Sequence, residues 1–133
     1  MSKKIESIHY HLDDFQFAQA KKLLAISKGL SFTALKDDMI PFVKLQQAIV
    51  VIPLKELKKD LPIVYWRNTS LLYGFIVNIE TDEVIVSNIK GHPLEWSIKK
   101  KHILGQIKLH MPYWYYSWKL KKILKSEIYK IKD

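Results

Sequence analysis

The sequence predicts a mainly β, α+β fold: a curved antiparallel sheet with one helix before it and a basic amphipathic helix after it. Three observations carry this expectation. Short apolar runs recur between residues 31 and 110, punctuated by Pro, Gly, Asn and Asp, as in a compact antiparallel sheet. Just before that region apolar residues follow helical spacing. Helical spacing returns after Pro112, now interleaved with lysines.

Taken in order, residues 5–12 alternate weakly and read as a short extended arm. Asp13 and Asp14 suit the positive end of a helix. Phe15, Ala18, Leu23, Leu24 and Ile26 form its apolar stripe, and Gly29 stands where a C-cap falls. A helix is therefore expected over 14–28. One helix followed by strands lacks the second, recognition helix of a helix-turn-helix. Strands are expected at 31–35, at 48–52 before Pro53, at 63–66, at 71–79 and at 84–87. Arg67-Asn68-Thr69-Ser70 and Glu80-Thr81-Asp82-Glu83 supply the turns. Residues 54–59 are expected to make one helical turn. Gly91-His92-Pro93 marks a loop, Trp96-Ser97-Ile98 a short edge segment, and 103–110 a strand that Pro112 ends. Leu120, Ile123, Leu124, Ile128 and Ile131 then predict a helix near 117–131 capped by Ser117. No internal repeat or low-complexity linker interrupts the chain.

With 133 residues the chain suits one domain over 1–133: arm and helix over 1–30, β core over 31–111, aromatic and basic helical tail over 112–133. A content of 48% hydrophobic and 12% aromatic residues is too rich for disorder. The absence of cysteine removes disulfides, Cys-ligated metals and thiol nucleophiles and fits a reducing compartment, so a cytoplasmic location is expected. The N-terminal stretch has no apolar signal core, and nowhere do ~18 apolar residues run together, so no membrane partner is expected.

The formal charge of +9 is uneven. Residues 89–133 set eleven lysines against Glu95, Glu127 and Asp133, a net of +8; residues 1–88 balance to +1. Such a tail attracts phosphate backbones, acidic proteins or anionic lipids, or serves only as a solvated face. Arg67 is the only arginine, which disfavours base-specific reading more than phosphate contact. Lys99, Lys100, Lys101, Lys119, Lys121, Lys122, Lys125 and Lys130 are the candidate nucleic-acid or partner-binding residues. Tyr113, Trp114, Tyr116, Trp118, Leu120, Ile123 and Leu124 are expected to form a hydrophobic seam that joins the tail helix to the sheet or to a second copy; base stacking and a bilayer interface are the alternatives. His9-x-His11 offers half a metal site that no further ligand completes, and His92, His102 and His110 read as surface or strand-edge residues. No metal or cofactor is expected. A Gly-rich phosphate loop and a nucleophile-elbow motif are both absent.

From Ser31 onward the order of features resembles the C-terminal domain of the LexA and phage-repressor family of serine–lysine peptidases. The residues that carry the resemblance are Lys36-Asp37-Asp38-Met39-Ile40-Pro41, the apolar run Ala48-Ile49-Val50-Val51-Ile52, the strand Tyr73-Gly74-Phe75-Ile76-Val77-Asn78-Ile79, then Val84-Ile85-Val86-Ser87-Asn88 leading to His92-Pro93, and the closing Ile103-Leu104-Gly105-Gln106-Ile107. It spans about residues 31–111 and implies a LexA-type curved sheet and a role in transcriptional, phage or mobile-element regulation. The position of the family's nucleophilic serine falls on Asp38, and that of its general-base lysine on or near Val77. A carboxylate beside a valine cannot take a hydroxyl proton as a neutral lysine does. The resemblance therefore implies a peptidase-dead regulatory protein with no catalytic residues. It would act by binding a protein partner, such as a repressor, or by dimerising; the alternative is nucleic-acid binding through the basic C-terminal helix. The prediction is that the chain stays intact on incubation at alkaline pH. Fragments of defined size accumulating on a gel would contradict it.

Overall fold

The computed structural model describes residues 12–33, 48–89 and 94–132. Helix α1 (Asp14–Ser27) is followed by strands β1 (Leu30–Thr33), β2 (Ala48–Ile52), β3 (Pro62–Arg67), β4 (Ser70–Ile79), β5 (Glu83–Ser87) and β6 (Glu95–Lys99). A 3₁₀ turn (Lys100–His102) then leads to β7 (Ile103–Ile107) and helix α2 (Tyr113–Lys132). The seven strands form one antiparallel sheet in the order β1-β2-β7-β3-β4-β5-β6. The expected α+β architecture, a mainly antiparallel sheet with a helix before and after it, is the one observed.

Local chemistry sets the boundaries. At the start of α1, Asp13 Oδ1 accepts from the Gln16 N–H at 2.8 Å, and Gln16 Oε1 accepts from the Asp13 N–H at 3.0 Å. This reciprocal capping box satisfies two otherwise orphaned donors. At the other end the left-handed cap is Lys28 (φ 65°) rather than the expected Gly29; its N–H donates to Leu24 O at 2.9 Å. Asn68 and Thr69, both left-handed, make the two-residue turn that joins β3 to β4 with the twist a hairpin requires.

Three further expectations need correction. Residues 54–59 form no helical turn: the Lys55 N–H donates to Gln106 Oε1, and Leu54 and Leu57 pack on the core. The last strand stops at Ile107 instead of running to 110, although the Lys108 N–H still reaches Val50 O at 2.8 Å. Helix α2 begins at Tyr113, directly after Pro112, so the aromatic run lies within it. Ser117 is therefore no cap; its hydroxyl donates to Asp60 Oδ2 at 2.5 Å.

Two cores stabilise the sheet. On one face α1 and α2 bury Phe17, Ala20, Leu24, Tyr116 and Leu120 against Val51, Val64, Leu71, Tyr73, Phe75 and Leu104. Among the described residues no helix lies over the other face, yet Ile63, Tyr65, Ile76, Val84, Val86, Ile98 and Ile103 are buried there. The connection from β6 to β7 explains how. In a flat sheet these strands, four places apart in the order β7-β3-β4-β5-β6, would stand ~19 Å apart. Three residues in a 3₁₀ turn advance only about 6 Å. The five strands must curl into a partial barrel, and register shifts at Val64/Tyr65 and Ile76/Asn78 supply the bends. The Lys100 N–H donates to Asp82 O at 3.0 Å and pins the turn to the β4–β5 hairpin.

Gly105 sits where β7 passes beneath α1. A Cβ there would lie 2.5 Å from Ile52 O and 2.9 Å from both Leu24 Cδ2 and Val51 Cγ1. Gly105→Ala should therefore cost about 1–3 kcal/mol through overpacking, read as a lower urea midpoint at unchanged slope. A change below about 0.5 kcal/mol, the level of a neutral surface substitution, would show that α1 does not seat closely on β7.

Candidate functional site

Helix α2 divides its aromatic run between two faces. Tyr116 and Leu120 are fully buried, and Tyr113, Ile123 and Leu124 pack partly buried against the same core. These five join the helix to the sheet. Trp114 and Trp118 instead point outward, 71% and 54% exposed. The helical repeat of 100° per residue puts Lys121, Lys122 and Lys125 on their side of the helix, and all three are exposed. Lys122 Nζ lies 4.5 Å above the Trp118 ring and Lys119 Nζ 5.8 Å from the Tyr115 ring, both within cation–π range. The Trp114, Tyr115 and Trp118 rings follow one another at 5.9 and 6.1 Å. The result is a row of aromatic rings, Trp114 and Trp118 the exposed ones, set among ammonium groups.

Asp60 fixes where this face stands. It accepts from Ser117 and lies 3.9 Å from Lys121 Nζ, while the Tyr113 hydroxyl donates to Lys59 O and Lys58 Nζ covers the Tyr113 ring at 4.2 Å. Burial, and after it the Asp60 carboxylate, raise the Tyr113 phenol above its ordinary value and the Tyr116 phenol well above it. Both stay protonated at neutral pH.

A second basic and aromatic feature opens at the far end of β3. Trp66, Arg67, Asn68, Glu83, Ser97, Ile98, Lys99 and His102 line a cleft of about 300 Å³. The Arg67 guanidinium sits 5.3 Å over Trp96, whose Nε1–H donates to the Tyr65 hydroxyl at 3.0 Å. Ser97 Oγ donates to Glu83, which holds that carboxylate against β6. Trp66 stacks on Phe17 at 5.0 Å and donates from Nε1 to Leu12 O at 2.9 Å. The His102 ring meets Trp66 edge-on at 5.1 Å. Lys21 Nζ donates to Lys101 O at 2.6 Å, bringing α1 to the rim.

The lysines singled out from sequence thus fall into two groups. Lys99, Lys100 and Lys101 belong to the cleft and the 3₁₀ turn; Lys119, Lys121, Lys122 and Lys125 belong to α2. Lys121 and the cleft mark opposite ends of β3, about 20 Å apart by strand rise. Lys130 is in the last turns of α2, where side chains from residue 127 on lie outside the description. Val77 is half-buried against the helix-covered core. Asp38 and the rest of 36–41, the His9-x-His11 pair and Gly91-His92-Pro93 all lie outside the described residues. Among the described residues no three His, Asp or Glu side chains gather as metal ligands, and no helix is long and apolar enough to cross a membrane. Sequence reasoning missed the cleft, since the curl of the sheet alone brings Arg67, Lys99 and His102 together. No family model, curated protein or solved structure matches the chain.

His102 carries a pH signature. Burial foremost, then the charges of Lys101, Lys99 and Lys21, hold its pKa below the ordinary 6.5, with Asp14 opposing. The unfolded chain therefore binds a proton that the folded chain resists as pH falls below about 6.5. The His102 contribution to stability is intact above that pH and is lost as pH drops through the lower folded value. His102→Gln should lose less thermal stability than the wild type between pH 7.5 and pH 5. Parallel melting curves for the two proteins would show that this imidazole titrates as it does in the unfolded chain.

Proposed function

We propose that the chain is a non-catalytic regulatory protein that binds single-stranded nucleic acid through the outer face of α2. The observation that carries this reading is the pair Trp114 and Trp118, exposed on the same side of the helix as Lys121, Lys122 and Lys125. Lysines neutralise phosphates without reading bases, and open indole faces stack on any unpaired base. With Arg67 the only arginine in the chain, recognition would rest on backbone charge and stacking more than on bidentate base contacts.

The non-catalytic part rests on the LexA-like resemblance. Asp38 stands at the position of the nucleophile, Val77 at or near that of the base, and none of the ten residues of β4 is a lysine. A shift of the alignment along that strand therefore restores no dyad. A cysteine-free composition accords with a cytoplasmic site of action. A second reading, binding of a repressor-like protein or of a second copy, is favoured by apolar side chains left uncovered on α1.

Fluorescence anisotropy with labelled single-stranded DNA and RNA 12-mers tests the main reading. Three phosphate contacts give a plot of log affinity against log salt with a slope of about −2. Replacing Lys121, Lys122 and Lys125 by Gln should flatten that slope. Trp114→Ala and Trp118→Ala should each remove about 1–3 kcal/mol of binding while leaving the slope in place. Oligonucleotide binding indifferent to all five substitutions would refute the assignment.

A further inference from the structure

The cleft at the end of β3 takes no part in the α2 face, and its walls combine three chemistries. The first is cationic. Arg67, the only arginine of the chain, and Lys99 both line it. The guanidinium rests 5.3 Å over the Trp96 ring, which limits the orientations of its fork. Lys101 and Lys21 stand nearby, joined where the Lys21 ammonium donates to Lys101 O. The charges of Lys101, Lys99 and Lys21 add to burial in lowering the His102 pKa, with Asp14 opposing, so the potential at this wall of the cleft is positive.

The second chemistry is aromatic. The Trp66 and His102 rings both line the cleft. Phe17 stacks on the Trp66 indole at 5.0 Å, and the indole Nε1–H is anchored on Leu12 O at 2.9 Å. The ring is therefore held in place before any ligand arrives. The third chemistry is an acceptor. The β5–β6 register sets Glu83 opposite Lys99, yet the Glu83 carboxylate accepts from the Ser97 hydroxyl, two residues back along β6. A carboxylate has about four lone-pair sites, so this bond leaves acceptors for hydroxyl or amino groups of a ligand.

We propose that this cleft binds one ribonucleotide bearing a terminal phosphate, with the phosphate on Arg67 and Lys99, the base against the Trp66 and His102 rings, and the ribose hydroxyls on Glu83. A simple anion would satisfy the cations and be repelled by the carboxylate. An aromatic acid would use the rings and leave Glu83 without donors. A nucleotide uses all three walls, and an arginine fork matches phosphate oxygens in pairs. The volume of about 300 Å³ is at the small end for a ligand site and suits one base, one sugar and one phosphate. The cleft and Lys121 mark opposite ends of β3, so the inference does not depend on nucleic-acid binding through α2.

Titration calorimetry on the full chain at low salt tests it, with AMP, 2′-deoxy-AMP, adenosine and inorganic phosphate as probes. AMP should bind at one site, and adenosine and inorganic phosphate should each bind about tenfold more weakly or worse, since each forfeits a charge-assisted or stacking contact. Arg67→Gln and Lys99→Gln, both at exposed positions, should weaken AMP with the circular dichroism spectrum unchanged. Glu83→Gln should narrow the preference for AMP over 2′-deoxy-AMP. In proton NMR, saturating AMP should raise the His102 pKa, because a bound phosphate favours the imidazolium. An RNA 6-mer with and without a 5′-phosphate separates the two sources of the ligand. Arg67→Gln weakens only the phosphorylated strand if the cleft takes a strand end, and neither strand if it takes the free nucleotide. No AMP binding up to about 1 mM overturns the proposal. So does inorganic phosphate that binds as tightly as AMP, or AMP binding indifferent to Arg67→Gln and Lys99→Gln. AMP binding lost in Trp114→Ala or Trp118→Ala would place the nucleotide on α2 and overturn it as well. Oligonucleotide binding through α2 can fail while AMP binding stands, which keeps the two readings apart.

Discussion

The structure depends on one short connection. Strands β6 and β7 are joined by the three residues Lys100–His102, although the sheet order places three other strands between them. A chain that short cannot cross a flat sheet, so the strands curl. Curling is what buries Ile63, Tyr65, Ile76, Val84, Val86, Ile98 and Ile103, over which no helix of the described residues lies. It is also what leaves both helices on the opposite face, and what swings Lys99 and His102 toward the Trp66–Arg67 end of β3. The second core, the one-sided helical layer and the basic cleft are three results of the same geometric restriction.

Charge placement follows that layout. The helix-covered core is mainly apolar, and the Tyr113 and Tyr116 phenols beside it are held protonated by burial and by Asp60. Lysines are left to the outer faces, where their stems and ammonium groups rest on aromatic rings: Lys21 on Phe17, Lys58 on Tyr113, Lys119 on Tyr115 and Lys122 on Trp118. Aromatic support places these cations at defined points on the surface. The Lys121–Asp60 pair, at 3.9 Å and with Lys121 mostly exposed, is a weak link of the surface kind.

Much of the sheet was legible in the sequence because its strands are short apolar runs closed by turn residues. Asn68-Thr69 and Glu80–Glu83 mark their hairpins, and Asp13 marks the start of α1. What periodicity could not decide was orientation. Phe15, Leu23 and Ile26 and the set Phe17, Ala20 and Leu24 both follow helical spacing, and only the sheet beneath α1 selects the second set as the core. In α2 the aromatic run obscured the boundary: Pro112, not Ser117, precedes the first turn, and the hydroxyl of Ser117 is engaged by Asp60, a residue 57 positions away. The failed helical turn at 54–59 has the same origin, since the Gln106 side chain that occupies the Lys55 N–H comes from a strand remote in sequence. The candidate site was legible as composition, lysines among aromatics, and illegible as geometry.

The separation of inward and outward residues on α2 has an evolutionary consequence. Tyr116 and Leu120 hold the helix to the sheet, while Trp114, Trp118, Lys121, Lys122 and Lys125 contribute almost nothing to the core. Exposed positions of this kind tolerate exchange at little cost in stability. Selection can therefore rewrite what this surface recognises one residue at a time, without passing through an unfolded ancestor, whereas Gly105 and the Lys100–His102 turn are frozen by the fold. The molecule is divided into a part free to diverge and a part that is not, and the boundary runs along the axis of a single helix.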